Sequence, residues 1–125
     1  MFKLGDTFLH NRDDHLWFVF AGPNPNSQLA ISNFTSWKVG CDDSCRVTQG
    51  EHPWLTHGTI VMYSEARLRF SRMLQAAERQ GLLRRQAELT QQLLRRIRDG
   101  ALKSPHTEQG IRSLILNERG KGSPV

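Results

Sequence analysis

The run Leu16-Trp17-Phe18-Val19-Phe20, followed at once by Ala21-Gly22-Pro23-Asn24-Pro25-Asn26-Ser27, constrains the fold of this chain more than any other feature. Five consecutive apolar or aromatic residues are too few for a typical helix and are rich in strand formers, so the run reads as a buried strand. The loop after it follows from its own residues, because proline fixes φ while glycine and asparagine tolerate turn conformations. Leu29-Ala30-Ile31-Ser32-Asn33-Phe34 then supplies a second core strand, and the two form a hairpin.

The surrounding segments extend this pattern. Gly5-Asp6 turns into a short strand ending at His10, and Asn11-Arg12-Asp13-Asp14 is a polar turn. Ser44–Thr48 alternates as a short strand. Gln49–Pro53 is a turn, because the residue before a proline is driven from the helical region. Thr59–Tyr63 is the last strand. Five short strands with tight connections predict a small antiparallel barrel or a strongly bent sheet.

The character changes near Ser64. Residues 1–65 hold four Lys/Arg against seven Asp/Glu, whereas residues 66–125 hold thirteen against five. Glu65–Arg69 reads equally as helix or extended chain. From Gly81 onward, Leu83, Ala87, Thr90, Leu94, Ile97 and Ala101 recur in steps of four and three, widened by Leu82, Leu89 and Leu93. That is an amphipathic helix, capped by Gly100, with Arg84, Arg85, Arg95, Arg96 and Arg98 largely off the apolar stripe. Ser104-Pro105 opens a second, shorter helix that carries Ile111, Leu114 and Ile115 inward and ends near Gly120. The predicted organisation is a β-barrel domain at 1–65, a basic helical extension at 66–120 and a tail at 121–125.

Several function classes are set aside. No apolar run approaches the roughly 20 residues of a membrane span, and Met1–Asp6 lacks the apolar stretch of a signal peptide, so a cytoplasmic protein is expected. Two cysteines are too few for a disulfide framework. No phosphate-binding glycine loop and no nucleophile elbow is present.

Chemistry concentrates between Asn33 and Tyr63, which holds both cysteines, two of five histidines and two of three tryptophans. Cys41, Cys45, His52 and His57 have ligand types suited to tetrahedral zinc, but the compressed C-x3-C-x6-H-x4-H spacing resembles no zinc motif, and no metal is expected. His15, His52 and His57 are candidates for acid–base chemistry. Of these, His52 ranks first because Gly50 and Pro53 fix the turn around it. Arg46, Lys38 and Arg12 are the nearby cations, and Trp37 and Trp54 are loop aromatics able to stack on bases.

On Gly5-Asp6, the apolar strand Leu16–Phe20 and the strand Leu29–Phe34 running into Thr35-Ser36, the front half resembles the MazF/PemK-type toxins. The resemblance covers roughly residues 3–65. It implies an SH3-like antiparallel β-barrel, here followed by two α-helices, and a metal-independent endoribonuclease of a bacterial toxin–antitoxin module. RNA, an antitoxin protein and a second copy of the chain are the implied partners, with no cofactor. The family's Arg-Pro at the entry to its second main strand is replaced by His15-Leu16, which leaves His15 as the substitute proton donor. The expected roles are His52 or His15 as general base or acid, Thr35 and Ser36 as phosphate or 2′-hydroxyl contacts, and Arg46 as charge stabiliser. The competing reading is a non-catalytic barrel module that binds RNA or a regulatory protein through its basic helices.

Overall fold

Strand β2 (Leu16–Ala21) buries both of its faces, and the molecule is built outward from it in the computed structural model, which describes residues 1–122. Leu16, Phe18 and Phe20 point to one side, into a large core completed by the helices. Val19 points to the other, into a smaller core with Phe2, Phe8, Leu29, Ile31, Leu74 and Leu83. The alternation expected of a strand is therefore hidden, since each face meets its own apolar layer.

β2 pairs antiparallel with β1 (Thr7–His10) on one edge and β3 (Gln28–Ser36) on the other. The β2–β3 turn needs Gly22, whose φ is +103° and where an added Cβ would lie 2.7 Å from the carbonyl oxygen of Gln28. Asn24 closes that turn by accepting the Gln28 and Asn26 amides. β3 is the long, bent strand of the sheet. Its first half pairs with β6 (Arg67–Phe70), and its last residues, Phe34, Thr35 and Ser36, pair with β5 (Thr59–Val61), beyond which lies β4 (Arg46–Val47). At the opposite end β1 pairs with β7 (Leu83–Gln86).

The result is a seven-stranded antiparallel sheet in the order β4-β5-β3-β2-β1-β7, with β6 beside β3. Three helices accompany it, so the fold is mixed α/β. The sheet is open, where a closed barrel was expected: β4 has only two residues, and no pairing joins it to β7.

The back half holds more elements than the two helices expected. Residues 67–70 are strand, where Glu65–Arg69 read equally as helix or extended chain. An additional helix, α1 (Ser71–Arg79), follows directly and ends at a turn through Gly81, whose φ is +78°. Leu83–Gln86, expected at the start of a long helix, is instead β7. The open edge of β1 offers its backbone a full set of partners, and helix propensity is too weak to outweigh that. The helix proper, α2 (Gln91–Lys103), begins where the Thr90 side chain caps the Leu93 amide at 3.1 Å. Its Leu93, Leu94, Ile97 and Ala101 fill the large core as the stripe predicted. So do Ile111, Leu114 and Ile115 of α3 (Gln109–Gly122). α3 runs two residues past the expected end at Gly120, and positions 123–125 of the expected tail lie outside the described residues. No helix among the described residues is long and apolar enough to cross a membrane.

Candidate active site

The β3–β5 pairing carries Thr35 and Ser36 to one end of the sheet, beside the loop that returns from β4 to β5. There a cleft of about 310 Å³ is lined by His15, Thr35, Ser36, Trp54, His57 and Thr59, with Leu55 beneath. Each side chain arrives by a local rule. His15 stands at the entrance to β2, its amide held by the Asp13 carboxylate at 3.1 Å. Asp13 also accepts the indole N–H of Trp17 at 3.1 Å, so the polar turn expected at 11–14 is a clamp that aims His15. His57 and Gly58 lead into β5, and Gly58 accepts the Trp37 amide at 3.1 Å.

The hydrogen bonds define what each histidine can do. His15 Nδ1 lies 3.0 Å from the Phe34 carbonyl oxygen. A carbonyl only accepts, so Nδ1 carries the proton and Nε2 is the ring nitrogen with no hydrogen-bond partner among the described residues. His57 Nε2 is 2.8 Å from Ser36 Oγ, while its Nδ1 has only a long 3.4 Å contact to Thr56 Oγ1. Thr59 is 3% exposed and its hydroxyl has no partner among the described residues, although it lines the cleft. The hydroxyl oxygen is sealed from solvent, so it is an unfilled hydrogen-bonding position behind the cleft wall.

Three of the five expected site residues therefore meet: His15, Thr35 and Ser36. Arg46 stands beside the cleft rather than in it. Its guanidinium lies 4.5 Å above the Trp37 ring, with Gly58 as a close neighbour. His52 is elsewhere. It is 2% exposed, its Nε2 lies 2.6 Å from the Ala87 carbonyl oxygen, and its Nδ1 accepts the Trp54 amide at 3.0 Å. With both ring nitrogens engaged in holding chain to chain, it has none free for substrate. Gly50 and Pro53 do fix its turn, but the turn presents the ring inward.

The zinc alternative also dissolves. Cys45 is buried beside Tyr63 and Gly100, Cys41 sits in the preceding loop, and the two histidines serve different contacts. No group of three or more His, Cys, Asp or Glu among the described residues is arranged to hold a metal ion. Burial pushes the Cys45 thiol above its ordinary pKa, so it behaves as a core residue.

Sequence reasoning ranked His57 below His52 and overlooked Thr59. The usable signal was position on the sheet: His57 and Thr59 flank the start of β5, and Thr59 lies directly opposite Ser36. A larger groove of about 550 Å³ lies along α2 and α3, but its Arg98 and Arg119 are already paired with Glu118 and Asp99, and it contains no imidazole or hydroxyl. No family model, no curated protein and no solved structure matches the chain.

Proposed function

We propose that the cleft at the end of β3 cleaves RNA by attack of the 2′-hydroxyl on the adjacent phosphorus, as a toxin-like endoribonuclease of a toxin–antitoxin module. The observation that carries this reading is the convergence of two imidazoles, His15 and His57, on one cleft lined by four hydroxyl-bearing residues, Thr35, Ser36, Thr56 and Thr59. Transesterification of RNA needs one group to remove the 2′-hydroxyl proton and another to protonate the departing 5′-oxygen. His57 Nε2, now resting on Ser36, is the base. His15 is the acid: the Phe34 carbonyl holds its Nδ1–H, so Nε2 is the nitrogen that passes a proton to the departing oxygen. The bond formed joins the 2′-oxygen to phosphorus, the P–O5′ bond breaks, and the products are a 2′,3′-cyclic phosphate and a 5′-hydroxyl end.

Thr35 and Ser36 are suited to the non-bridging phosphate oxygens. Arg46, held on Trp37 beside Gly58, supplies a cation to offset charge in the pentavalent transition state. His52 drops out of the chemistry and becomes a scaffold residue. The bent strand β3, shared between β2, β6 and β5, supports reading the open sheet as a variant of the SH3-like architecture. A cytoplasmic location, an antitoxin partner and a homodimer belong to the same proposal.

Expression of wild type and His57→Ala in a bacterial host, with growth and RNA integrity followed together, tests the proposal. Growth arrest with RNA fragments ending in cyclic phosphate, both lost in His57→Ala, is the expected result. If wild type leaves RNA intact, the enzyme reading fails and a binding module takes its place, resting on the thirteen Lys/Arg of residues 66–125.

A further inference from the structure

A second hollow adjoins the cleft and shares two of its walls. It measures about 280 Å³ and continues from His15 and Thr35 past Asn33 and Trp17 to Asp13 and Glu65. Beyond the shared His15 and Thr35, its polar groups are one carboxamide, Asn33, and two carboxylates, Asp13 and Glu65. Asn33 is only 3% exposed, yet its carboxamide makes no side-chain hydrogen bond among the described residues, while its backbone carbonyl is used by the Met62 amide at 2.9 Å. Its carboxamide atoms are not sealed from solvent, so a donor and an acceptor stand open to whatever enters the hollow.

The charged groups around it are already committed in ways that shape what can enter. Asp13 holds the Trp17 indole and the His15 amide, and Glu65 pairs with Arg67 at 2.9 Å. The Arg67 guanidinium in turn lies 5.7 Å from the centre of the Trp17 ring. The hollow thus has an aromatic wall, a carboxamide in its floor and two carboxylate rims. Carboxylates repel a phosphate but accept hydrogen bonds from an amino group.

We propose that this hollow is the nucleobase subsite of the RNA-cleaving cleft, taking one base next to the scissile phosphate and selecting a base that carries an exocyclic amino group. Asn33 is the residue that reads it. A carboxamide pairs in a bidentate way with an amino donor beside a ring-nitrogen acceptor, the edge that adenine and cytosine both present. Uracil offers a carbonyl where those bases offer the amino group, and it meets Asp13 and Glu65 with an acceptor. The hollow opens on Thr35 and His15, so a base seated there places its own sugar and phosphate at the acid–base pair. This rests on the cleavage reading for its biological meaning, but the subsite itself can be measured without cleavage.

The probes are fluorescein-labelled oligoadenylate, oligocytidylate and oligouridylate of equal length, titrated by anisotropy into the His57→Ala chain, whose cleavage is silenced. At least one of the amino-bearing oligomers is expected to bind about fivefold or more tighter than oligouridylate, the lower end of the discrimination that one bidentate side-chain–base pair provides. Adding Asn33→Ala is expected to bring the three affinities together, and Asn33→Asp to retain some preference for the amino-bearing oligomers. Circular dichroism of each variant establishes that it is folded. Equal affinity for all three oligomers in the His57→Ala chain overturns the subsite, as does a preference that survives Asn33→Ala. Selective binding by a wild type that leaves RNA uncut supports the subsite and defeats the cleavage reading. Cleavage by wild type without base selectivity does the reverse.

Discussion

His52 Nε2 lies 2.6 Å from the carbonyl oxygen of Ala87, an oxygen that also accepts the Thr7 hydroxyl at 2.6 Å. One carbonyl thus ties together the start of β1, the segment after β7 and the long loop that carries Trp54 and His57. Because the same imidazole accepts the Trp54 amide, His52 fixes the lip of the cleft without entering it. His52→Ala is expected to lower the unfolding free energy by about 2–3 kcal/mol, through two lost hydrogen bonds and the void left by a buried ring. Urea denaturation measures it. At temperatures where the variant is folded, RNA cleavage is expected to survive, a result opposite to that of removing a proton-transfer residue.

His57 is exposed and its loss leaves little structure behind, so the corresponding change there separates chemistry from stability. His57→Ala and His15→Gln are each expected to lower the cleavage rate by about a hundredfold or more, in the range of general acid–base catalysis. For His57→Ala the denaturation midpoint is expected to stay near that of wild type. Because the two imidazoles act in one step, the double variant should be barely slower than either single one. Single-turnover cleavage of a labelled RNA checks both statements. A double variant slower by the product of the single effects would mean that the two residues act independently.

How far the site can be read from sequence depends on how local its causes are. Leu16–Phe20, the Gly22-to-Ser27 turn and the inward residues of α2 and α3 follow from spacing and turn chemistry alone, and each lies where those rules put it. Leu83–Gln86 does not. Its helical spacing is real, but β1 has an open edge far earlier in the chain, and no local rule reports that. The histidines divide on the same principle. His15 and Ser36 are placed by strand ends, which sequence marks, so both reach the cleft. His52 is oriented by Ala87, 35 residues away, and the turn that made it look displayed in fact turns it inward.

Gly100 shows the same dependence on distant partners, in a form that reverses a standard expectation. In a helix interior, alanine in place of glycine normally stabilises by roughly 1 kcal/mol. Here a Cβ would lie 2.3 Å from the Tyr63 hydroxyl oxygen and 2.9 Å from both the Cys45 Cβ and the Ser44 carbonyl oxygen. Tyr63 cannot easily yield, because its hydroxyl donates to the Ile97 carbonyl at 2.7 Å and its ring is 1% exposed. Gly100→Ala is therefore expected to destabilise by about 1–3 kcal/mol, the usual cost of overpacking. A thermal melt with a lower midpoint confirms the close approach of α2 to the 44–45 segment, and a raised midpoint refutes it.

Arg96 couples α2 to the same loop that carries the cleft, and this contact makes stability depend on pH. Its guanidinium pairs with the Glu51 carboxylate and donates to the Arg46 carbonyl at 2.6 Å. Partial burial works against the Glu51 charge. The Arg96 hydrogen bond and the Thr48 amide, 2.7 Å away, outweigh it and hold the carboxyl below its usual range. A carboxyl whose pKa is lower folded than unfolded contributes its full stability above the unfolded value, about 4.3 for glutamate, and loses it as pH falls through the folded value. Asp42 adds to the same slope: burial again opposes the shift, while the Ser104 and Ser44 hydroxyls, each 2.5 Å away, depress its pKa. Stability measured by urea titration is therefore expected to decline from about pH 4 downward. In Glu51→Gln the curve should start lower at neutral pH and fall less steeply on the acid side, since the variant has no proton to take up at that position. A Glu51→Gln curve parallel to wild type throughout would show that the Arg96 contact contributes nothing to holding the loop against α2.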